Sequence, residues 1–374
     1  MQASVDPPDD AATLWTLTPP ANVDGLQSAP SAGAKSPADP PSNSATQFPL
    51  SPTGVFGANM PGAGHLVFTL APIYLQKYGN LIGTTPVSPQ YIVNHIAINR
   101  TPLKGYHLLR VVPTAQQAFV QAFTFAYGLT DDFYLFAAGA YIDKNVNLLT
   151  FKGLKGSVPL GTSTGHGEGY GDTIIAGDYR LYHDAMNQIN VFFGMTVPTG
   201  LINKNWTPLG PAGKYVSKVA VYGFEPGAGT FNALPGIVYS GMLDRWSWGL
   251  SYRGDIPLTY NSDNYQFGAY HEIDAWGGYN VLPGLESTVR LSGSTQTGIH
   301  GMDYNRTGYA QGNNPGFYGG QLLNVFLGGN ISGQYFGVPK ATLSAEFGIP
   351  VYTRLNGPQS DPAYIAIAAL KYKF

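Results

Sequence analysis

Seven histidines (His65, His95, His107, His166, His183, His271 and His300) and no cysteine are the material from which catalytic or metal chemistry would have to be built. None of the histidines forms a pair at metal-ligand spacing within one element. Without cysteine there is no thiolate metal site, no disulfide and no C-x-x-C-H haem attachment. Gly165-His166-Gly167-Glu168 sets an imidazole beside a carboxylate, and reads as a solvated loop tip. Met60 with His65 has copper-ligand atoms, and reads as chance proximity. A hydrolase would need a serine and a histidine held together with a third group orienting the histidine. Ser287 and His271 are the nearest approach, but no nucleophile motif surrounds either. His271 shares its face with Phe267, Ala269 and Ile273, as an interfacial histidine in an aromatic belt would. The expectation is therefore a non-enzyme with no catalytic residue, no metal and no cofactor. The formal net charge of −2 carries no basic excess, so nucleic acid is not an expected partner.

The elements that carry the remaining chemistry have a period of two. Tyr364, Ala366, Ala368, Leu370, Tyr372 and Phe374 alternate with Ile365, Ile367, Ala369, Lys371 and Lys373, which puts the two sets on opposite faces of a strand. Trp246, Trp248, Leu250 and Tyr252 alternate with Arg245, Ser247, Ser251, Arg253 and Asp255. Charged residues are 11%, against roughly 25% in an ordinary soluble domain. No apolar run reaches the roughly 20 residues of a spanning helix. The spacing predicts twelve strands: 65–78, 116–127, 132–143, 171–183, 188–198, 231–242, 245–256, 266–280, 284–296, 319–334, 340–352 and 362–374. Breaks after the even-numbered strands are short turns, and those after the odd ones are long. The predicted fold is all-β, a transmembrane antiparallel up-and-down β-barrel of about 12 strands, with both termini on the periplasmic side. A secreted all-β sandwich is the alternative. Segment 132–143 is apolar on both faces and 65–78 contains Pro72, so one of them is expected to be misplaced or to sit at a seam.

In a barrel the strand charges face inward, since hydrocarbon disfavours them. The candidate lumen set is Asp178, Arg180, Arg253, Asp255, Glu272, Asp274, Glu286, Arg290 and Glu346, with Lys371. Both signs occur, so no strong ion selectivity is expected. The third long loop, 199–230, carries Lys204, Trp206, Lys214, Tyr215 and Lys218, with Tyr222, Phe224 and Glu225. It is long enough to fold inward as a constriction suited to an aromatic or anionic solute, or else to cap the mouth. The fifth loop, 297–318, reads as a mobile lid.

Residues 1–60 differ in kind from residues 61–374. They hold ten prolines, and Ser28 to Ser51 is mostly Ser, Ala, Pro, Gly and Asn. Such a stretch buries too little apolar surface to offset its ordering entropy, so a disordered periplasmic tail is expected, or a plug inside the barrel. The first residues contain no apolar core of 7–15 residues, so an export leader is expected to have been removed ahead of Met1.

Ending on an aromatic with Tyr372 two positions earlier resembles the C-terminal signal of bacterial outer-membrane barrels. That resemblance implies delivery by the barrel-assembly machinery through Phe374. Gly128-Leu129-Thr130-Asp131, Gly169-Tyr170-Gly171-Asp172, Val197-Pro198-Thr199-Gly200, Gly348-Ile349-Pro350-Val351-Tyr352 and Asn356-Gly357-Pro358-Gln359 recur in order over about residues 60–374. In this the chain resembles the large outer-membrane transporter family named after a meta-cleavage pathway of phenol degradation. The resemblance implies a channel-like barrel near the fatty-acid channel group and the pore that exports functional amyloid. It implies no catalytic residues. The expected location is the bacterial outer membrane, with the lipid bilayer and lipopolysaccharide as surroundings. The expected function is a channel for small, hydrophobic or aromatic solutes. The alternatives are a secretion pore for a peptide or amyloid subunit, a sheath around an electron-transfer partner, and an outer-membrane hydrolase.

Overall fold

The computed structural model describes residues 50–98, 100–102 and 105–374. Most of the expected tail lies outside the described residues. The long strands are β1 (Leu66–Gly83), β2 (Val111–Gly128), β3 (Phe133–Phe151), β4 (Pro159–Tyr170), β5 (Thr173–His183), β6 (Asn187–Val197), β7 (Asn232–Leu243), β8 (Trp246–Pro257), β9 (Tyr270–Leu282), β10 (Leu285–Gln296), β11 (Gly320–Ser332) and β12 (Ala341–Lys373). Pairing among these strands is antiparallel and between consecutive strands, except that β4 pairs only with β3 and β5 pairs with β3 and β6; β12 returns to β1, closing the sheet. The strand carrying Pro72 is thus the closing seam; Pro72 itself stands opposite Gln121 of β2.

β12 is one 33-residue element. Extended, it would run about 110 Å at about 3.3 Å per residue, far beyond a bilayer core of about 30 Å. It folds back instead. Thr342–Leu355 pairs with β11, and Leu355–Lys373 pairs with β1. Lys373 N donates to Lys340 O at 3.0 Å, joining the two ends. Counted as two arms, β12 supplies the eleventh and twelfth passes; the break expected at 353–361 is a tight fold rather than a loop.

Alternation fixes what each face meets. Trp246, Leu250, Phe193, Leu291, Phe347, Ile349 and Leu370 are exposed on the outside of the barrel, while Ser247, Ser251, Ser292, Glu346 and Lys371 are buried. A closed sheet with a continuous apolar exterior is a lipid-facing surface, because closure leaves no edge and hydrocarbon requires every backbone group to be paired within the protein. On β3 the outward residues change from Leu135 and Ala137 to Tyr141, then Asp143, Asn145 and Asn147. Tyr141 meets Tyr170 of β4 at 5.3 Å. Phe133–Tyr141 is the length of one tilted crossing, about 9–11 residues. The rest of β3 continues beyond the belt.

That extension is a hairpin the pattern did not show. β4 pairs with the upper half of β3 and β5 with the lower half. His166, expected at a loop tip, stands in β4, bonded to Asn145 Oδ1 at 2.9 Å. The first long loop carries a short helix, Pro89–His95, whose first turn is capped by Ser88 Oγ accepting from Tyr91 N at 3.1 Å.

The inside–outside assignment has a direct check. Leu291→Arg on the outer face near mid-strand is expected to lower unfolding stability by about 2–4 kcal/mol, and Ser287→Arg near the turn by about 0–1 kcal/mol. Equilibrium denaturation in phospholipid vesicles measures both; equal costs would contradict the assignment.

Candidate functional site

The barrel interior has three levels. At the periplasmic end, residues 50–60 lie inside the barrel. Phe56 packs against Phe136 and Phe192, with ring centres 5.6 and 5.2 Å away. Gly54 N donates to Glu346 Oε2 at 2.6 Å, Asn190 Nδ2 to Gly57 O at 2.8 Å and Asn330 Nδ2 to Leu50 O at 3.3 Å. Gln188 Nε2 donates to Ala58 O. Gly57 has φ +68° and lies directly against the Asp178 carboxylate and the Phe192 ring, so no side chain fits there.

At mid-height the charged residues of one wall join. Arg290 pairs with Asp274 at 2.8 Å and Glu346 at 3.0 Å, and its guanidinium lies over the Phe326 ring at 3.9 Å. Arg253 pairs with Glu272 at 2.6 Å, which also accepts from Tyr270 Oη at 2.6 Å. Glu286 accepts from Ser247 at 2.6 Å and Asn330 at 3.0 Å. Asp255 accepts from Asn232 at 2.7 Å. Lys371 is buried nearby without a hydrogen-bond partner among the described residues. The facing wall is apolar: Ala71, Ile73, Val120, Ala122, Ile142 and Ile367 form one buried cluster with Phe326. Small interior side chains and paired charges thus fill the middle, although twelve passes enclose more room than eight.

Of the candidate lumen residues, Arg253, Asp255, Glu272, Asp274, Glu286, Arg290 and Glu346 lie together on this wall. Asp178 is buried apart from them, against Gly57. Arg180 stands at the periplasmic turn, with Asp132 Oδ1 2.6 Å from Nη2.

At the extracellular end, loop 199–230 is cinched at its base. Asp172 Oδ1 accepts from Gly200 N and Oδ2 from Ala228 N, both at 2.8 Å. The loop lies on a smooth face of β4, where Gly165, Gly167 and Gly169 take every second place. A Cβ on Gly165 would come within 2.5 Å of the Trp206 ring, and one on Gly167 within 2.5 Å of Phe224 O. Lys144 of β3 donates to Gly223 O at 3.1 Å and Glu225 O at 2.8 Å. Arg306 of loop 297–318 is fully buried and pairs with Glu225 at 2.9 Å and Asp303 at 3.1 Å. It also donates to Ala220 O and lies over Tyr222 at 4.8 Å. Burial pushes the Glu225 carboxyl up to about 7 against the opposing pull of Arg306. Loop 297–318 is accordingly packed, with Ile299, Asp303 and Asn314 buried.

The five candidate constriction residues separate. Trp206 is buried over the mouth. Lys204 N donates to Glu225 Oε2 at 3.0 Å and Lys218 Nζ to Thr307 O at 3.3 Å. Lys214 and Tyr215 are exposed at the loop tip. Arg306, Asp172 and the β4 glycines are the site-building residues that the sequence reading missed. Alternate glycines from Gly165 to Gly169 were the available signal.

Beneath the loops is a cavity of about 120 Å3. Its walls include Leu75, Ala118, Val146, Leu148, Trp206, Phe224, Ala310, Phe317 and Leu322, with Gln76, Gln116, Gln311 and Gln359 as polar points.

No known family's sequence model matches the chain, and no curated protein matches it. Solved structures do. An outer-membrane channel from Pseudomonas putida F1 superposes with a TM-score of 0.50 at 13% identity, over 90% of this chain and 100% of that one. The toluene transporter TodX of P. putida gives 0.40 at 8% identity, over 83% and 90%. The toluene transporter TbuX of Ralstonia pickettii gives 0.39 at 10% identity, over 85% and 92%. At 13% identity the likeness to the first is one of fold: this chain, like that one, is a closed antiparallel β-barrel.

The glycine stripe carries a prediction. Gly165→Val is expected to displace Trp206 and reduce hydrogen-exchange protection over residues 204–224 by about tenfold or more, leaving the barrel strands protected. Added to Trp206→Ala, the same change is expected to have a smaller further effect, since the Trp206 contact is gone and the Val146 side chain still stands in the way.

Proposed function

We propose that this barrel is an outer-membrane channel that passes small hydrophobic or aromatic solutes through the capped cavity rather than along an open axial bore. The carrying observation is where space remains. The periplasmic end holds residues 50–60 and the middle holds Arg290 and Phe326, whereas the extracellular end keeps a mainly apolar cavity with a few amide side chains. An engineered apolar cavity of about 150 Å3 holds benzene, so the volume suits a single-ring solute. Apolar walls with a few polar points are the usual make-up of a small-molecule site.

The cavity also reaches the seam. Gln117 is exposed and Tyr364 half-buried, and both border it. Here Lys77 stands opposite Pro362, and the β1–β12 register slips between Gln76 and Lys77. Proline supplies no N–H, so the ladder lacks a donor at this level. A solute leaving here would pass into the outer leaflet beside the Tyr74–Tyr364 pair, whose rings are 6.1 Å apart.

Vesicles with a lipopolysaccharide outer leaflet test the reading. The chain is expected to speed nitrobenzene entry severalfold with sucrose entry unchanged, and Ala118→Trp, which fills the cavity, is expected to abolish the gain. Fast sucrose entry through the native chain would indicate a wide aqueous bore and defeat the reading.

A further inference from the structure

The charges bordering the cavity are of one sign. Lys77 and Lys144 line it, and among the described residues no aspartate or glutamate does. Strand register explains this. Lys77 stands opposite Gln116, and Lys144 opposite Ala118, on the two strands flanking β2. Lys77 continues the inward phase of Ala71, Ile73 and Leu75. The acid nearest to it in the ladder, Asp361, stands opposite Tyr78 and so shares the outward face of that exposed tyrosine. Lys77 makes no ion pair within 4.0 Å among the described residues, whereas Arg253, Arg290 and Arg306 each have a carboxylate at 2.6–3.0 Å. Lys144 is occupied by the carbonyls of Gly223 and Glu225, and burial pushes its ammonium down to about 7, whereas Lys77 keeps a donor group for a solute.

We propose that the cavity selects hydrophobic anions, with the ring against Trp206, Phe224 and Leu148 and an acidic group on Lys77. This rests on the cavity being the solute site, as proposed above, and adds the charge of the solute. An ammonium half-buried beside apolar walls, with Asp361 as a neighbouring charge but no carboxylate within 4.0 Å among the described residues, favours an anion more than it would in open water, because little solvent screens it. A neutral ring gains only the apolar contacts. The shared chemistry could come from a free aromatic acid or from the phosphate of an anionic lipid entering at the seam.

Equilibrium dialysis with the full chain in phosphatidylcholine nanodiscs separates these cases, using 4-nitrobenzoate and its neutral counterpart 4-nitrobenzyl alcohol. The native chain is expected to bind the anion about tenfold or more tightly than the alcohol. Lys77→Met is expected to remove that preference without weakening the alcohol, and Lys77→Arg to keep it. Ala118→Trp is expected to abolish binding of both, placing them in this cavity. Adding phosphatidylglycerol to the discs distinguishes the sources. Competition with nitrobenzoate identifies a lipid phosphate as an occupant of the anion site, and unchanged binding leaves a free acid. If the native chain does not prefer the anion, or Lys77→Met leaves the preference intact, the anion assignment fails while the channel reading stands. If neither compound binds, or Ala118→Trp spares both, the cavity is not the solute site and both proposals fall.

Discussion

The pairing of the first strand with the last is the interaction on which the molecule depends. Inside hydrocarbon an unpaired N–H or C=O has no alternative partner, so an open sheet edge there is untenable. Leu66–Gly83 against the second arm of Ala341–Lys373 removes both edges together, and Phe374 N bonding Leu66 O at 2.8 Å completes the periplasmic end. Once the sheet is closed, side-chain alternation has one meaning everywhere: one face meets lipid and the other meets whatever the circle encloses.

Closure also sets the electrostatics. Water is largely displaced from the middle of the barrel, so a charge there must find a partner or become a large penalty. Arg290 answers with two carboxylates and an aromatic face, and Arg253 with Glu272. Removing one partner of such a group would leave the other buried and uncompensated, which costs far more than the pair contributes over an apolar substitute. The network therefore serves arrangement more than stability. Glu346 holds Arg290 and also accepts from Gly54 N, which ties the segment at the periplasmic end to the packing of the middle.

Much of this was legible in the sequence, and the limits of legibility are physical. The twelve passes could be read because lipid on one side imposes a strict period of two on residues such as Trp246–Tyr252. Inward charges could be read for the same reason, since Glu272 or Arg290 has only one tolerable face. Pairing among them could not, because Arg290 and Glu346 are 56 residues apart and meet only through register. The β3–β4 extension was hidden because it stands above the membrane, where Asp143, Asn145 and His166 face water and the apolar alternation stops. Arg306 was hidden because, beside the local Asp303, its partners are a glutamate 81 residues away and backbone carbonyls that carry no residue code. Residues 50–60 resemble the preceding polar tract in composition, and only the walls they meet distinguish them.

The inward fold of loop 199–230 follows from that same extension. A loop of this length could as well lie over the rim, where its lysines would be solvated. It turns inward because β4 offers a face without side chains above the membrane, and an apolar ring such as Trp206 or Phe224 gains more by covering that strip than by facing water. Asp172 gathers both ends of the loop, and Arg306 joins it to loop 297–318 from above. Lys214 and Tyr215, the residues without a place on the glycine face, remain outside. The closed mouth and the cavity beneath it are thus consequences of strand length: had β3 ended at the membrane surface, there would be no strip for the loop to cover.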